Sequence, residues 1–132
     1  MKSQKNFKVK NNIYKILRPS EWEEASQTGQ INTDLDREDG FIHLSAAYQL
    51  NATLSFFFKD SDTVILLQID QDKINKKQLL YEEPYPNKGK RKSAFPHLYS
   101  DLHKDQISNV WILKRNAFEL PEDVMLQAEN TK

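Results

Sequence analysis

The sequence predicts a single α+β domain, mostly sheet, with two clear helices. Three observations carry this. Several short β-prone runs are spread along the chain, only two stretches show helical spacing with a start signal, and neither a repeat nor a linker divides the 132 residues. A chain of this length fits one domain with a core large enough to need no covalent staples. The expected domain runs over 12–115, between a basic N-terminal tail (1–11) and an acidic C-terminal tail (116–132). Both ends are polar and lack apolar periodicity.

Asn12–Leu17 reads as the first strand, stopped by Pro19. Ser20 is placed to cap a helix with Glu23 reaching back to it, Trp22 and Ala25 supply the buried stripe, and Gly29 is the natural stop. Residues 30–40 read as an acidic loop ending in the turn pair Asp39-Gly40. Phe41–Ser45 is short and β-prone. Ser45 is then expected to cap a second helix with Ala47, Leu50, Leu54 and Phe57 along one face. After a turn at Lys59–Asp62, the nearly continuous apolar run Thr63–Ile69 reads as a central strand buried on both faces. Asp70–Asn75 suits a helical turn and Gln78–Glu82 another strand. A basic loop with Pro84, Pro86 and Gly89 leads to Phe95–Tyr99, and Ser108–Leu113 is the last strand.

Composition excludes several classes of function. Nineteen Lys and Arg balance nineteen Asp and Glu, whereas a protein living on phosphate backbones carries a basic excess. Nucleic acid is therefore disfavoured as the main partner. The absence of cysteine removes disulfide scaffolds, thiol nucleophiles and thiolate metal sites. No apolar run approaches the ~18 residues of a membrane span, and the basic N-terminus has no apolar segment of a secretory signal. A cytoplasmic protein is the expectation. The neutral total hides blocks: four lysines in 1–12, seven acids against Arg37 in 19–40, Lys88, Lys90, Arg91 and Lys92 in 84–92, and four acids in 119–129. The acidic block runs into His43 and the internal basic block into His97.

Two segments resemble each other. Phe41-Ile42-His43-Leu44-Ser45 and Phe95-Pro96-His97-Leu98-Tyr99 both read F-x-H-L followed by a hydroxyl residue. In extended chain, side chains alternate between faces. Phe41, His43 and Ser45 then share one side, and so do Phe95, His97 and Tyr99. A site lined by two strands would look like this. Histidine can give or take a proton near neutrality, or simply orient a ligand oxygen. Glu82, ending its strand, is the candidate carboxylate. The three widely spaced glycines allow no phosphate-binding glycine loop. His43, His97 and His103 could offer three nitrogens to zinc, but the His97–His103 spacing fits neither neighbouring helix turns nor strand alternation, so no metal is expected.

The chain resembles the domain of unknown function 952 family. The resemblance rests on Ile13–Leu17, Glu21-Trp22, Asp39-Gly40-Phe41-Ile42-His43-Leu44-Ser45, Glu82 and Phe95-Pro96-His97-Leu98-Tyr99, occurring in that order over roughly residues 12–115. The insert between Glu82 and Phe95 is longer than is usual for the family. The family in turn looks like the ADP-ribosyltransferase superfamily, which implies a compact, split, mostly antiparallel sheet core gripping NAD in a cleft. His43-Leu44-Ser45 is similar to the V-H-L-S segment of RNA 2′-phosphotransferases, with Ile42 in the place of valine. By this resemblance His43, His97 and Glu82 are the candidate catalytic residues. Ser45, Tyr99, Phe41, Phe95 and Tyr14 are the candidate ligand contacts, and the ligand is a small polar, nucleotide-like molecule. The first strand, around Tyr14-Lys15, lacks the His-Gly that usually holds the nicotinamide ribose. Three functions stay open: a binding module that kept the fold without the chemistry, an NAD-processing or ADP-ribosyl-transferring enzyme, and a two-histidine phosphoesterase.

Overall fold

Alternation in the first strand, β1 (Ile13–Leu17), buries Ile13 and Leu17 completely and carries Lys15 to the same face. The structure, a computed structural model, describes residues 11–83, 93–114 and 122–131. Helix α1 (Pro19–Thr28) follows at once. It starts two residues before the expected Ser20 cap would allow: Arg18 is the N-cap, Pro19 opens the helix, and the Arg18 N–H donates to Glu21 Oε1 at 2.8 Å. Proline suits that position because its missing N–H would have no helical partner there. Gly29 ends the helix with φ 83°, a left-handed conformation open to glycine at little cost.

The expected acidic loop holds a helix, α2 (Asp34–Asp39). Thr33 Oγ1 accepts from the Asp36 N–H at 3.1 Å, and Asp36 Oδ2 accepts from the Thr33 N–H at 3.0 Å, a reciprocal cap. Gly40 closes it at φ 85°. The β-prone run that follows divides into β2 (Ile42–His43) and β3 (Ser45–Ala46), which join different sheets. Ser45 is thus a strand residue rather than a helix cap. Gln49, fully buried, takes the capping role through Oε1, which accepts from the Ala46 N–H at 2.8 Å. Helix α3 (Leu50–Phe57) starts later than expected, so its phase differs: Ala52 is its buried residue, while Phe57 is 58% exposed.

Strand β4 (Thr63–Ile69) is central, as its apolar run predicts, but its two faces are unequally covered: Ile65, Leu67 and Ile69 are buried on one, whereas on the other Val64 is buried and Leu66 and Gln68 are half-buried. After short helical turns come β5 (Leu79–Glu82), β6 (Phe95–Leu98) and β7 (Ile107–Lys114). One sheet has the order β3-β1-β4-β7, the other β2-β6-β5, and every pairing among the described residues is antiparallel. The core joins both sheets, with Ile13, Leu17, Leu67 and Leu98 at its centre and Ala25 and Trp22 packed from α1.

Within the segment read as an acidic tail lies a further helix, α4 (Glu122–Thr131), packed against α3. Met125 and Glu129, one helical turn apart, are its buried residues. One of the two being a glutamate, the apolar pattern alone gives no sign of it. The Ser93 hydroxyl donates to Glu129 at 3.4 Å, which ties the helix to the approach of β6. The basic loop with Lys88, Lys90, Arg91 and Lys92, and the first ten residues, lie outside the described residues.

Candidate functional site

The two look-alike segments pair with each other. In the β2–β6 ladder Ile42 faces Leu98 and His43 faces His97. Ile42 and Leu98 turn into the core, so the two histidines stand on the opposite face with ring centroids 5.7 Å apart. Phe41 lies against both rings, stacked on His97 at 4.0 Å and tilted to His43 at 4.5 Å, and it reaches Tyr99 at 5.2 Å. Strand alternation and antiparallel pairing together produce this cluster.

His43 is held from the side of α2. Its Nδ1 lies 2.6 Å from Asp36 Oδ1 and its Nε2 2.9 Å from Asp39 Oδ2, while its N–H donates to Asp36 Oδ1 at 2.9 Å. Behind Asp36 sits Lys15. Its ammonium is 2.8 Å from Asp36 Oδ2 and donates to the His43 carbonyl at 3.0 Å, with both charged side chains buried. Burial opposes the charge on Asp36, but hydrogen bonds from His43 and the nearby Lys15 outweigh it and bring the carboxyl down to about 2. Burial also draws the Lys15 ammonium below its ordinary value, with Asp36 opposing. Every polar atom of this group that is buried has a partner, as an ion pair so deep requires.

His97 has a different setting. It is 4% exposed, and its Nδ1 is 2.7 Å from Glu82 Oε1, which also accepts from the Tyr99 hydroxyl at 2.7 Å. Burial lowers the His97 pKa, with Glu82 opposing. The bonds from Tyr99 and His97 hold Glu82 below the usual carboxylate range, and the same bond raises the Tyr99 phenol. An ionised Glu82 can only accept, which assigns the donor hydrogen to His97 Nδ1; a neutral ring then carries its lone pair on Nε2. Unlike the buried Asp36, Glu82 is open to solvent over 39% of its side chain. An imidazole, a carboxylate and a phenol in one hydrogen-bonded group can exchange a proton with a ligand or orient its hydroxyls.

Of the residues singled out from the sequence, His43, His97, Glu82, Tyr99 and Phe41 come together. Phe95 stands opposite Glu82 in the ladder and is buried. Ser45 does not join them, because the chain crosses from one sheet to the other at Leu44. Its hydroxyl is 3.4 Å from that of Thr53 on α3. Tyr14 also lies elsewhere: it faces away from Lys15 and its ring is 6.3 Å from Trp111 on the outer face of the larger sheet. His103 forms a bridge with Gln30, away from the pair. Lys15, Asp36 and Asp39 are the site residues that sequence reasoning missed. Lys15 had a signal, since it occupies the buried parity of Ile13 and Leu17.

With this geometry in view, comparison with known proteins places the chain. The family described as protein of unknown function (DUF952) matches residues 16–110. The chain belongs to this family. The matched span holds Asp36, Asp39, His43, Glu82, His97 and Tyr99, and begins one residue after Lys15. Among solved structures, the crystal structure of protein CC0527 from Caulobacter crescentus, a structural-genomics target, is similar at 31% identity and a TM-score of 0.69. That match covers 80% of this chain and 89% of the other. A crystal structure of a double mutant of the same protein gives a TM-score of 0.68, at 31% identity over 80% of this chain and 89% of the other. Its solution NMR structure gives 0.67, at 31% identity over 80% and 87%. No curated protein matches the chain.

Proposed function

We propose that this DUF952 protein binds a small, polar, nucleotide-like molecule, NAD or an ADP-ribose-type ligand, on the face shared by His43 and His97. One observation carries this reading: two strands and the end of a third bring His43, His97, Tyr99 and Glu82 onto a single face, with Phe41 laid across the imidazoles. Such a face offers a flat aromatic surface for a base and adjacent acceptors for ribose hydroxyls. The ligand class is taken from the resemblance of the sequence to the ADP-ribosyltransferase superfamily; the fold itself is two antiparallel sheets with the histidine pair on the smaller one. Titration calorimetry with NAD and with ADP-ribose tests the proposal. Binding that weakens in Glu82→Gln and Tyr99→Phe is expected, and no heat of binding at millimolar ligand would overturn it.

A second reading, an enzyme, is favoured by the state of Glu82. Transfer of ADP-ribose replaces the bond from the ribose anomeric carbon to nicotinamide with a bond to an acceptor oxygen or nitrogen, through a transition state with positive charge on the sugar. A carboxylate fixed in its ionised form by Tyr99 and His97, yet open to solvent, is what would stabilise that charge. Time-dependent release of nicotinamide from NAD, abolished in Glu82→Gln, is the distinguishing result. Nicotinamide release at the same rate in both proteins would exclude it. The phosphoesterase reading has less support, because Ser45 is bonded toward α3 and both ring nitrogens of His43 are occupied by carboxylates.

A further inference from the structure

Strand β7 closes one side of the larger sheet. Its inner edge pairs with β4 along nearly its whole length, and among the described residues no strand pairs with its outer edge. An open edge presents a row of N–H and C=O groups to any other strand, and proteins ordinarily guard it with charge, proline or a bulge. The eight residues of β7 have little such guard: Ile107 to Leu113 carry no charge and no proline, and Lys114 stands at the very end. The one irregularity of the ladder, between Gln68 and Ile69, lies toward the start of the strand. Three consecutive apolar residues, Val110, Trp111 and Ile112, are 45%, 41% and 66% exposed. Val110 and Ile112 face the buried residues Leu67 and Ile65 across the ladder, so they lie on the core side of the sheet but beyond its cover.

We propose that this edge pairs with a second copy of the chain, antiparallel about a two-fold axis at Trp111, to make one continuous eight-stranded sheet. The sequence of the strand is self-complementary in that register. Residues directly opposite in a sheet share a face. Trp111 then meets its own copy on the outer face, while Val110 meets Ile112 twice on the core face. All three exposed apolar residues are covered by each other, and Lys114 falls opposite Ser108, so no like charges meet. This is the isologous contact that closes a dimer without leaving an edge to propagate.

Sedimentation equilibrium of the full chain, from micromolar to near-millimolar concentration, tests it directly. A dimer is expected, with Ile112→Lys and Val110→Lys each weakening association at least ten-fold while their circular dichroism stays that of the parent. The pairing itself is read by Trp111→Cys, whose thiol is the only one in the chain. Facing residues of an antiparallel pair stand about 4.5–5.5 Å apart at Cα, within disulfide reach. Oxidation is therefore expected to give a covalent dimer at Trp111→Cys but not at Asp62→Cys, in an exposed turn. A monomer at every concentration would overturn the proposal, as would a dimer untouched by both lysine variants. A monomer that associates only after residues 1–10 are removed would assign the edge to the chain's own N-terminal segment and overturn it equally.

Discussion

Two histidines face each other across one strand pair, in nearly the same local sequence, and their surroundings could hardly differ more. His43 is clamped at both nitrogens by Asp36 and Asp39, with the buried Lys15 behind. His97 keeps one anchor, Glu82, which it shares with Tyr99 and which remains open to solvent. The first arrangement engages both ring nitrogens of His43 and both oxygens of Asp36 in holding strand β2 to α2 and β1. The second leaves a carboxylate oxygen and a ring nitrogen to meet something else. Similar motifs thus serve as scaffold on one side and as the proposed contact surface on the other.

The sharpest way to break this division is to remove Asp36. Asp36→Ala strands a buried ammonium without its counter-ion, and breaking such a pair costs about 3–5 kcal/mol. Denaturant unfolding should show a loss of that size, whereas Glu82→Gln should leave the unfolding midpoint close to the parent's. Equal losses from both changes would erase the distinction.

Acid should separate the two halves next. Asp36 titrates near 2 in the fold, against about 3.9 in an unfolded chain, so between those values the unfolded state binds more protons. Its contribution of about 2–3 kcal/mol is complete above pH ~4 and is lost as the pH falls toward 2. His97 is lowered by burial, so the unfolded chain also takes its proton first, and stability should begin to fall as the pH drops through about 6.5. Stability measured against pH should show both steps, with His97→Gln removing only the upper one. A flat profile from pH 7 to 4 would contradict the neutral, buried His97.

Smaller effects concern the ligand. Tyr99→Phe frees one lone pair of Glu82 and should reduce affinity for ADP-ribose by about ten-fold, roughly the value of one hydrogen bond to a charged group, as calorimetry can read. Ser45→Ala and Tyr14→Phe should leave that affinity unchanged. A loss on either would relocate the contact surface.

Much of this was legible in the sequence. Alternation in Phe41–Ser45 and Phe95–Tyr99 put each histidine on the correct face, and the long run Thr63–Ile69 announced the central strand. Ser45 escaped because parity holds only within one strand, and the chain changes sheets at Leu44. Asp36 and Asp39 escaped for another reason: in a block of seven acids, nothing local separates a carboxylate that folds back onto a histidine from its solvated neighbours. The strand order β3-β1-β4-β7 depends on long-range pairing that no short motif encodes. Lys15 was readable, as a charge on the buried parity of an otherwise apolar strand.

Where a ligand touches the molecule separates the contact surface from the scaffold. The chain has three histidines, so their ring resonances can be followed singly by NMR as ADP-ribose or NAD is added. The expected result is a saturable shift of the His97 ring and of Tyr99, a smaller change at the clamped His43, and none at His103. No shift at near-millimolar ligand, or a shift confined to His103, would contradict it.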